Sequence, residues 1–201
     1  MSLIAFHKLL AEKQLELVHL NDTYDLTAFV THADADRLGS WLRTKGLAMD
    51  SEDSCRVWLL VPENGSQPLG YFTLSAHQVV RKDIVRKDRY YDPKNGGALG
   101  AFERHPASLL GKFALSSAVA GTPGMGSLLM YCAFAKFLFT NKHTAARYLV
   151  LHTQAERLSR YYRDRYGFQP VIHRDEGQPF MLYKTSQAIR EALSELEMPG
   201  F

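Results

Sequence analysis

Ser108 to Ser116 (SLLGKFALS) reads as a buried β-strand, Gly121-Thr122-Pro123-Gly124-Met125-Gly126 follows it, and Ser127 to about Thr140 (SLLMYCAFAKFLFT) reads as a mostly apolar helix. No other passage of the chain limits its fold as much. A strand that runs into closely spaced glycines and then a helix gathers unpaired backbone N–H groups and the positive end of the helix dipole at one point. Phosphate oxygens fit such a point; the plainer alternative is a tight turn made by the glycines and Pro123. A P-loop needs Lys-Ser or Lys-Thr after its last glycine, and here Gly126 is followed by Ser127-Leu128. A dinucleotide fingerprint needs a third glycine near a first strand, and Gly124-Met125-Gly126 lacks it and comes after about 120 residues.

The remaining pattern is a succession of short elements without internal repeat or low-complexity segment. Leu38, Trp41 and Leu42 recur at i, i+3 and i+4, which predicts an amphipathic helix over 34–47, with Asp34 or Asp36 as its cap and Gly46 helping to end it. Cys55 to Pro62 and Pro68 to Val80 predict a hairpin around the turn cluster from Glu63 to Gln67. After the glycine unit, Ala146 to Thr153 predicts a buried strand and Gln154 to Tyr166 a helix ended by Gly167. Phe168 to His173 and Pro179 to Lys184 read as closing strands, and Thr185 or Ser186 as the cap of a last helix to about Leu196. Hairpin strands first, then strands alternating with helices, imply a mixed α/β sheet of α+β-like character, not a doubly wound parallel one. With 46% hydrophobic residues, 201 residues suit one domain over 1–201 with its core at about 55–184.

Cys55 and Cys132 sit inside apolar runs, where a buried small hydrophobe belongs, so a reduced, cytoplasmic chain is expected. The N-terminus has no secretory pattern, and no segment approaches the roughly 18 apolar residues of a membrane span. The eight histidines are scattered singly, which argues against a metal site; His152 alternates with apolar neighbours and reads as a satisfied core or sheet residue, not a ligand.

Taken together, SLLGKFALS, GTPGMG, SLLMYCAFAKFLF, ARYLVLHT and YYRDRYGF resemble the core of the GNAT N-acetyltransferases, over about residues 55 to 173. The resemblance implies the acyl-CoA N-acyltransferase fold, a central mixed, mostly antiparallel sheet flanked by helices, with acetyl-CoA (coenzyme A) as cofactor. Gly124 and Gly126 fall on the glycines of the family signature R/Q-x-x-G-x-G/A, while Gly121 stands where Arg or Gln is usual. Carried over by position, cofactor binding falls to Gly121, Thr122, Pro123, Gly124, Met125, Gly126 and Ser127, with Phe113, Ala114 and Leu115 on the adjoining strand. Within the family, SWLRTKGLA, the hairpin CRVWLLVPENGSQPLGYFTLSAHQVV and HPASLLGKFAL look most like the toxin branch that acetylates the amino group of aminoacyl-tRNA. That branch is usually encoded beside a ribbon-helix-helix antitoxin, and a homodimer is expected. DLTAFVTHADADRLGSWL replaces the short opening common there.

Moving an acetyl group from a thioester to an amine needs a neutral amine, a place for the oxyanion and a proton for the departing thiolate. A phenol, with a pKa of about 10, can supply that proton. The family places its acid in a Y-x-x-x-G-F pattern; counting four back from Gly167 gives Arg163, and Tyr162 lies at five. Tyr162 is the expected acid, Tyr161 the second choice, and Tyr166 is expected to pack. The oxyanion is assigned to a backbone N–H near Ala114 or Leu115. No general base stands out, and an α-amine of pKa about 8, lowered further by an adjacent ester, is substantially neutral without one.

The formal charge of +3 excludes a general nucleic-acid coat, yet Arg81 to Lys94 (RKDIVRKDRYYDPK) alone carries a net +3. Arg81, Lys82, Arg86, Lys87 and Arg89, with Tyr90 and Tyr91 among them, suit RNA phosphates and bases; a solvated loop is the bland alternative. Helix residues Arg157, Arg160, Arg163 and Arg165, against Glu156 and Asp164, add a second basic patch beside the proposed acid, equally suited to the phosphates of coenzyme A. The competing functions are acetylation of a small-molecule or protein amine and, from another class, a non-catalytic acyl-CoA-binding module.

Overall fold

The computed structural model of the protein describes residues 10–32, 36–89, 103–173 and 176–195. Among these, seven strands make one sheet: β1 (Leu15–His19), β2 (Arg56–Pro62), β3 (Gly70–Val80), β4 (Arg104–Leu115), β5 (Tyr148–Thr153), β6 (Gln169–Pro170) and β7 (Phe180–Thr185). Their spatial order is β1-β2-β3-β4-β5-β7-β6, and every neighbouring pair is antiparallel except β4 and β5. A mixed, mostly antiparallel sheet is what the order of hairpins and strand–helix units requires.

Helix α1 is continuous through Arg37–Trp41, Leu42–Gly46 and Leu47–Ser51, its middle turn wound as a π-helix; α2 is Met125–Thr140, α3 Glu156–Tyr166 and α4 Ser186–Glu195. Helix α2 is apolar nearly all round because it is covered nearly all round. Leu128, Leu129, Met130, Cys132, Ala133, Phe134, Ala135 and Phe137 are buried in one cluster with Phe72 and Leu110 of the sheet and Ile189 and Leu193 of α4. The opposite sheet face carries two smaller clusters. Helix α1 covers Val57, Leu59, Val61, Tyr71 and Ala114, with Tyr71 donating to Leu38 O at 2.8 Å and stacking on Trp41. Farther along, the segment after β3 buries Ile84 against Val79, Ala107, Tyr148, Val150 and Tyr183.

Several expectations change here. Strand β1 was not anticipated from the sequence. Asp36 stands at the start of α1 but makes no side-chain cap; its carboxylate takes the Thr31 N–H and the Arg43 guanidinium, and Asp34 lies outside the described residues. Gly46 does not end the helix. It is buried in it, where a Cβ would come within 3.0 Å of Leu42, so the glycine serves close packing and not termination. Between Phe168 and His173 only Gln169–Pro170 pairs as a strand. Gly167 does end α3, at φ 66 with its N–H on Arg163 O, and Thr185 caps α4 through the Ala188 N–H at 3.1 Å. Cys132 is buried and Cys55 half-buried, both as free thiols, and burial pushes the Cys132 thiol up. No described helix is long and apolar enough to cross a membrane.

Candidate functional site

A bulge in β4 shapes the site. Phe72 pairs with Phe113 and Leu74 with Leu110, so Gly111 and Lys112 together oppose the single residue Thr73. Lys112 N–H donates to Thr73 Oγ1 at 2.9 Å, and a Cβ on Gly111 would lie 3.0 Å from that oxygen, which explains the glycine. The bulge turns β4 away from β5. Their parallel pairing stops at Leu110 with Leu151, although β4 runs on to Leu115 and β5 to Thr153.

Beyond the bulge the direction of each N–H follows from the ladder. Ser116 N–H bonds Leu69 O at 2.8 Å, and alternation gives Ala114 the same direction, into β3. Phe113 and Leu115 therefore turn their N–H groups to the opposite edge, where β5 has parted from β4. Of the two oxyanion donors expected from sequence, Leu115 has the right direction and Ala114 does not; Phe113 joins Leu115 on the open edge.

This edge leads into the glycine loop. Gly121 and Gly124 take positive φ of 89° and 85°, and Gly124 N-caps α2 in the left-handed conformation that favours glycine. A Cβ on Gly121, Gly124 or Gly126 would meet nothing within 4 Å, so these glycines leave open space instead of filling a tight internal turn. Gly126 and Ser127 are the second and third residues of α2, and their N–H groups have no acceptor in their own helix. Thr122 and Pro123 are exposed; Met125 is half-buried and its N–H bonds Thr122 O. Donors around open space, with no Cβ to obstruct them, fit the pyrophosphate of coenzyme A.

Helix α3 meets the loop at Ser127. Tyr166 OH lies 3.4 Å from Ser127 Oγ and 3.2 Å from Tyr161 OH, and Arg165 Nη2 is 3.4 Å from the same Ser127 Oγ. Tyr166 packs, as its sequence position suggests, and also carries a hydroxyl link to the loop that the sequence did not reveal. The Tyr162 ring is wedged among Tyr161, Tyr166 and Phe168 at centroid distances of 5.7, 6.3 and 6.2 Å. Its hydroxyl has no hydrogen-bond partner among the described residues and is not one of the fully buried polar atoms. Burial of the ring pushes the Tyr162 phenol up to about 12, so it stays protonated at neutral pH. Tyr161 is half exposed, its hydroxyl engaged by Tyr166.

The basic residues separate into two groups. Arg160, paired with Glu156 at 3.3 Å, and Arg163 are exposed on α3. Arg81, Lys82 and Lys87 lie at the other end of β4, in the connection that brings β3 back to it. The described part of that connection, Arg81–Arg89, is docked on the sheet: Ile84 is buried, Tyr183 OH donates to Asp88 Oδ2 at 2.8 Å, and Tyr148 OH donates to Asp88 O at 3.0 Å. Arg89 donates to Ile84 O and Lys82 O at 2.7 and 2.9 Å and so staples the turn. Tyr90, Tyr91, Lys94 and the Arg86 side chain lie outside what is described. The two basic groups lie on opposite faces of the sheet: Arg160 and Arg163 on the helix whose Tyr166 joins the α2 cluster, Arg81, Lys82 and Lys87 on the segment whose Ile84 packs on the other face.

His152 is a sheet residue and not a core one. It is exposed on the α1 face of the sheet, lacks a hydrogen-bond partner among the described residues, and meets His77 edge to face at 5.6 Å. Among the described residues no group of three or more His, Cys, Asp or Glu is placed to hold a metal.

No protein-family model matches the sequence, and neither does any curated protein. Solved structures match in fold. AtaT complexed with acetyl-methionyl-tRNAfMet has a TM-score of 0.72 at 21% identity, covering 89% of this chain and 99% of that one. A tyrosine-to-phenylalanine mutant of KacT gives 0.72 at 22% identity, with 89% and 99% covered. An AtaT mutant toxin bound to the C-terminus of the antitoxin AtaR and acetyl-CoA gives 0.68 at 20% identity, with 90% and 99% covered. At these identities the likeness speaks for the fold, which is the one that the glycine loop and its flanking elements imply.

Proposed function

We propose that the chain is an acetyl-CoA-dependent N-acetyltransferase that acetylates the α-amino group of aminoacyl-tRNA, acting as the toxin of a toxin-antitoxin pair. The observation that carries this reading is the junction of two unsatisfied backbone edges, Phe113 and Leu115 on the freed side of β4 and Gly126 and Ser127 at the start of α2. Bound acetyl-CoA supplies an activated acetyl thioester. Gly124, Gly126 and Ser127 receive its pyrophosphate, and Arg165 brings to Ser127 a cation of the kind that Gly121 does not provide. The N–H groups of Phe113 and Leu115 hold the thioester arm and the oxyanion. Tyr162, kept protonated by burial, gives its proton to the leaving thiolate.

The acceptor is argued from scale. Arg160 and Arg163 lie on the helix that meets the glycine loop, while Arg81, Lys82, Arg86 and Lys87 lie at the far end of β4. A small amine cannot touch both groups; a tRNA can, through its phosphates. The likeness to structures of AtaT with acetyl-methionyl-tRNAfMet and with the antitoxin AtaR supports the same class of acceptor and an antitoxin partner, and a ribbon-helix-helix antitoxin and a homodimer belong to this reading.

The test is incubation with acetyl-CoA and aminoacyl-tRNA, followed by mass analysis of the released aminoacyl group. A gain of one acetyl is the expected result, with a rate that falls as salt rises and on Lys82→Glu and Lys87→Glu. Transfer to a free amine but never to aminoacyl-tRNA overturns the acceptor assignment. Coenzyme A binding without transfer to any amine overturns the enzymatic reading in favour of a binding module.

A further inference from the structure

Strand β5 carries an exposed polar side chain at the place where it parts from β4. The last parallel pair is Leu110 with Leu151, and His152 is the next residue. Leu151 points into the α2 cluster, so His152 faces the opposite side of the sheet, which α1 covers at one end and the Ile84 segment at the other. Between those covers the described sheet face is uncapped. Gly111, the register neighbour of His152 on β4, is exposed and contributes no side chain, which leaves room beside the imidazole. From β3 the ring meets His77 edge to face at 5.6 Å, and from β7 its register partner is Met181. Neither imidazole has a hydrogen-bond partner among the described residues, so both rings have nitrogens free to meet a ligand or solvent.

From this placement we propose that His152 is the proton acceptor for the attacking amine and that His77 positions its ring at the mouth of the β4–β5 split. The proposal rests on the acetyltransferase reading above. As the amine nitrogen bonds to the thioester carbonyl carbon, one N–H proton passes to an unprotonated His152 nitrogen and the carbon–sulfur bond breaks. The Tyr162 proton passes to the departing sulfur, and solvent returns both side chains to their starting states. Tyr162 and His152 thus divide the two proton transfers between opposite sides of the split strand pair.

Burial lowers both imidazole pKa values, and for His77 the neighbouring His152 lowers it further. Among the described residues no carboxylate faces either ring: β4 presents Leu109 and Gly111, β7 presents Met181, and the two histidines are the titratable groups that β3 and β5 bring here. Both rings are therefore neutral near pH 7, the state a proton acceptor needs.

The experiment compares wild type, His152→Gln and His77→Gln in acetyl transfer from acetyl-CoA to aminoacyl-tRNA between pH 6 and 9, with melting temperature and the KM for acetyl-CoA as controls. A proton acceptor predicts that His152→Gln loses about 10²-fold in turnover at pH 6.5 and approaches wild type at pH 9, where an α-amine of pKa about 8 reaches the site already neutral. His77→Gln is expected to lose about threefold to tenfold with a displaced pH profile, and the KM for acetyl-CoA to stay constant in both. A His152→Gln profile parallel to wild type, or turnover within about threefold at every pH, overturns the proposal while leaving the acetyltransferase reading intact. A wild-type protein that acetylates no amine overturns both.

Discussion

The two ends of β4 make opposite use of similar-looking sequence. Both Arg81–Arg89 and the glycine loop are polar or glycine-rich interruptions between apolar strands. At the first end every available device satisfies the backbone: Arg89 bonds two carbonyls, Tyr148 and Arg147 both donate to Asp88 O, and Tyr183 OH receives the Val85 N–H. At the second end the bulge at Gly111 and Lys112 withdraws β5, and the glycines withdraw side chains, so that donors face open space. Satisfied backbone is architecture; unsatisfied backbone around open space is a binding site. The contrast predicts that changes at the glycine end alter coenzyme A binding and turnover with little effect on stability, and that changes to the buried pins of the basic end alter stability with little effect on coenzyme A binding.

The largest expected break in this pattern comes from Gly126→Leu. Its φ lies outside the left-handed region and its Cβ has open space, so the fold accepts the side chain, and a helix gains from losing a glycine. The leucine occupies the volume where the phosphates meet the Gly126 and Ser127 N–H groups. Two charge-assisted bonds at about 1.5–3 kcal/mol each correspond to a loss of coenzyme A affinity of about 10³-fold. Calorimetric titration should show this loss with the melting temperature unchanged or slightly raised; a lowered melting temperature with affinity intact would reverse the assignment of the loop. Next in size is Tyr162→Phe, expected to cut turnover about 10²–10³-fold with acetyl-CoA affinity unchanged. Tyr161→Phe removes a hydroxyl already held by Tyr166 and is expected to stay within about threefold. The reverse ranking in steady-state kinetics would transfer the acid to Tyr161.

How far the sequence discloses each end follows from how local its chemistry is. The glycine loop was legible because its function resides in the absence of side chains and in the start of a helix, both written in consecutive residues. The strands on either side were legible from their apolar runs. Gly46 misled because the same residue that ends exposed helices also permits close packing, and only the position of Leu42 decides between them. The inward turn of Arg89 depends on carbonyls of Ile84 and Lys82 presented by tight turns, which no charge pattern encodes. The exposure of His152 was hidden for a related reason. Alternation assigns it to a face, but whether that face is covered depends on where α1 stops and the Ile84 segment begins. Arg165 was legible as one of the cations of α3, but its approach to Ser127 Oγ at 3.4 Å was not, because it depends on how α3 meets α2.

At the basic end the expected effects are on stability. Ile84 is fully buried between Tyr148, Tyr183 and Val79, so Ile84→Ala is expected to destabilise the fold by about 2–4 kcal/mol in urea unfolding. Coenzyme A affinity should be unchanged in the folded protein, since the length of β4 lies between. A matched loss of affinity would mean that the two ends are coupled through the sheet, and the separation of binding from architecture drawn above would fail.

The smallest effect gives the sharpest test, because it removes a single oxygen. Tyr183 OH donates to Asp88 Oδ2 at 2.8 Å and accepts the Val85 N–H at 3.2 Å, and burial together with the Asp88 carboxylate pushes its phenol well above the usual tyrosine range. Tyr183→Phe keeps the ring in its cluster and leaves a carboxylate oxygen and a backbone N–H without that partner. The expected cost is about 1–2 kcal/mol, less than Ile84→Ala because both orphaned groups are only part-buried and water can reach them. Amide exchange should speed up at Val85 and Asp88 before any change at Phe113 or Leu115. If the segment is a docked element, protection is lost there first and aminoacyl-tRNA acetylation weakens through KM for the tRNA alone. If exchange rises equally along β4, the pins serve the sheet as a whole, and Arg81, Lys82 and Lys87 are placed by the strand ends and not by Asp88.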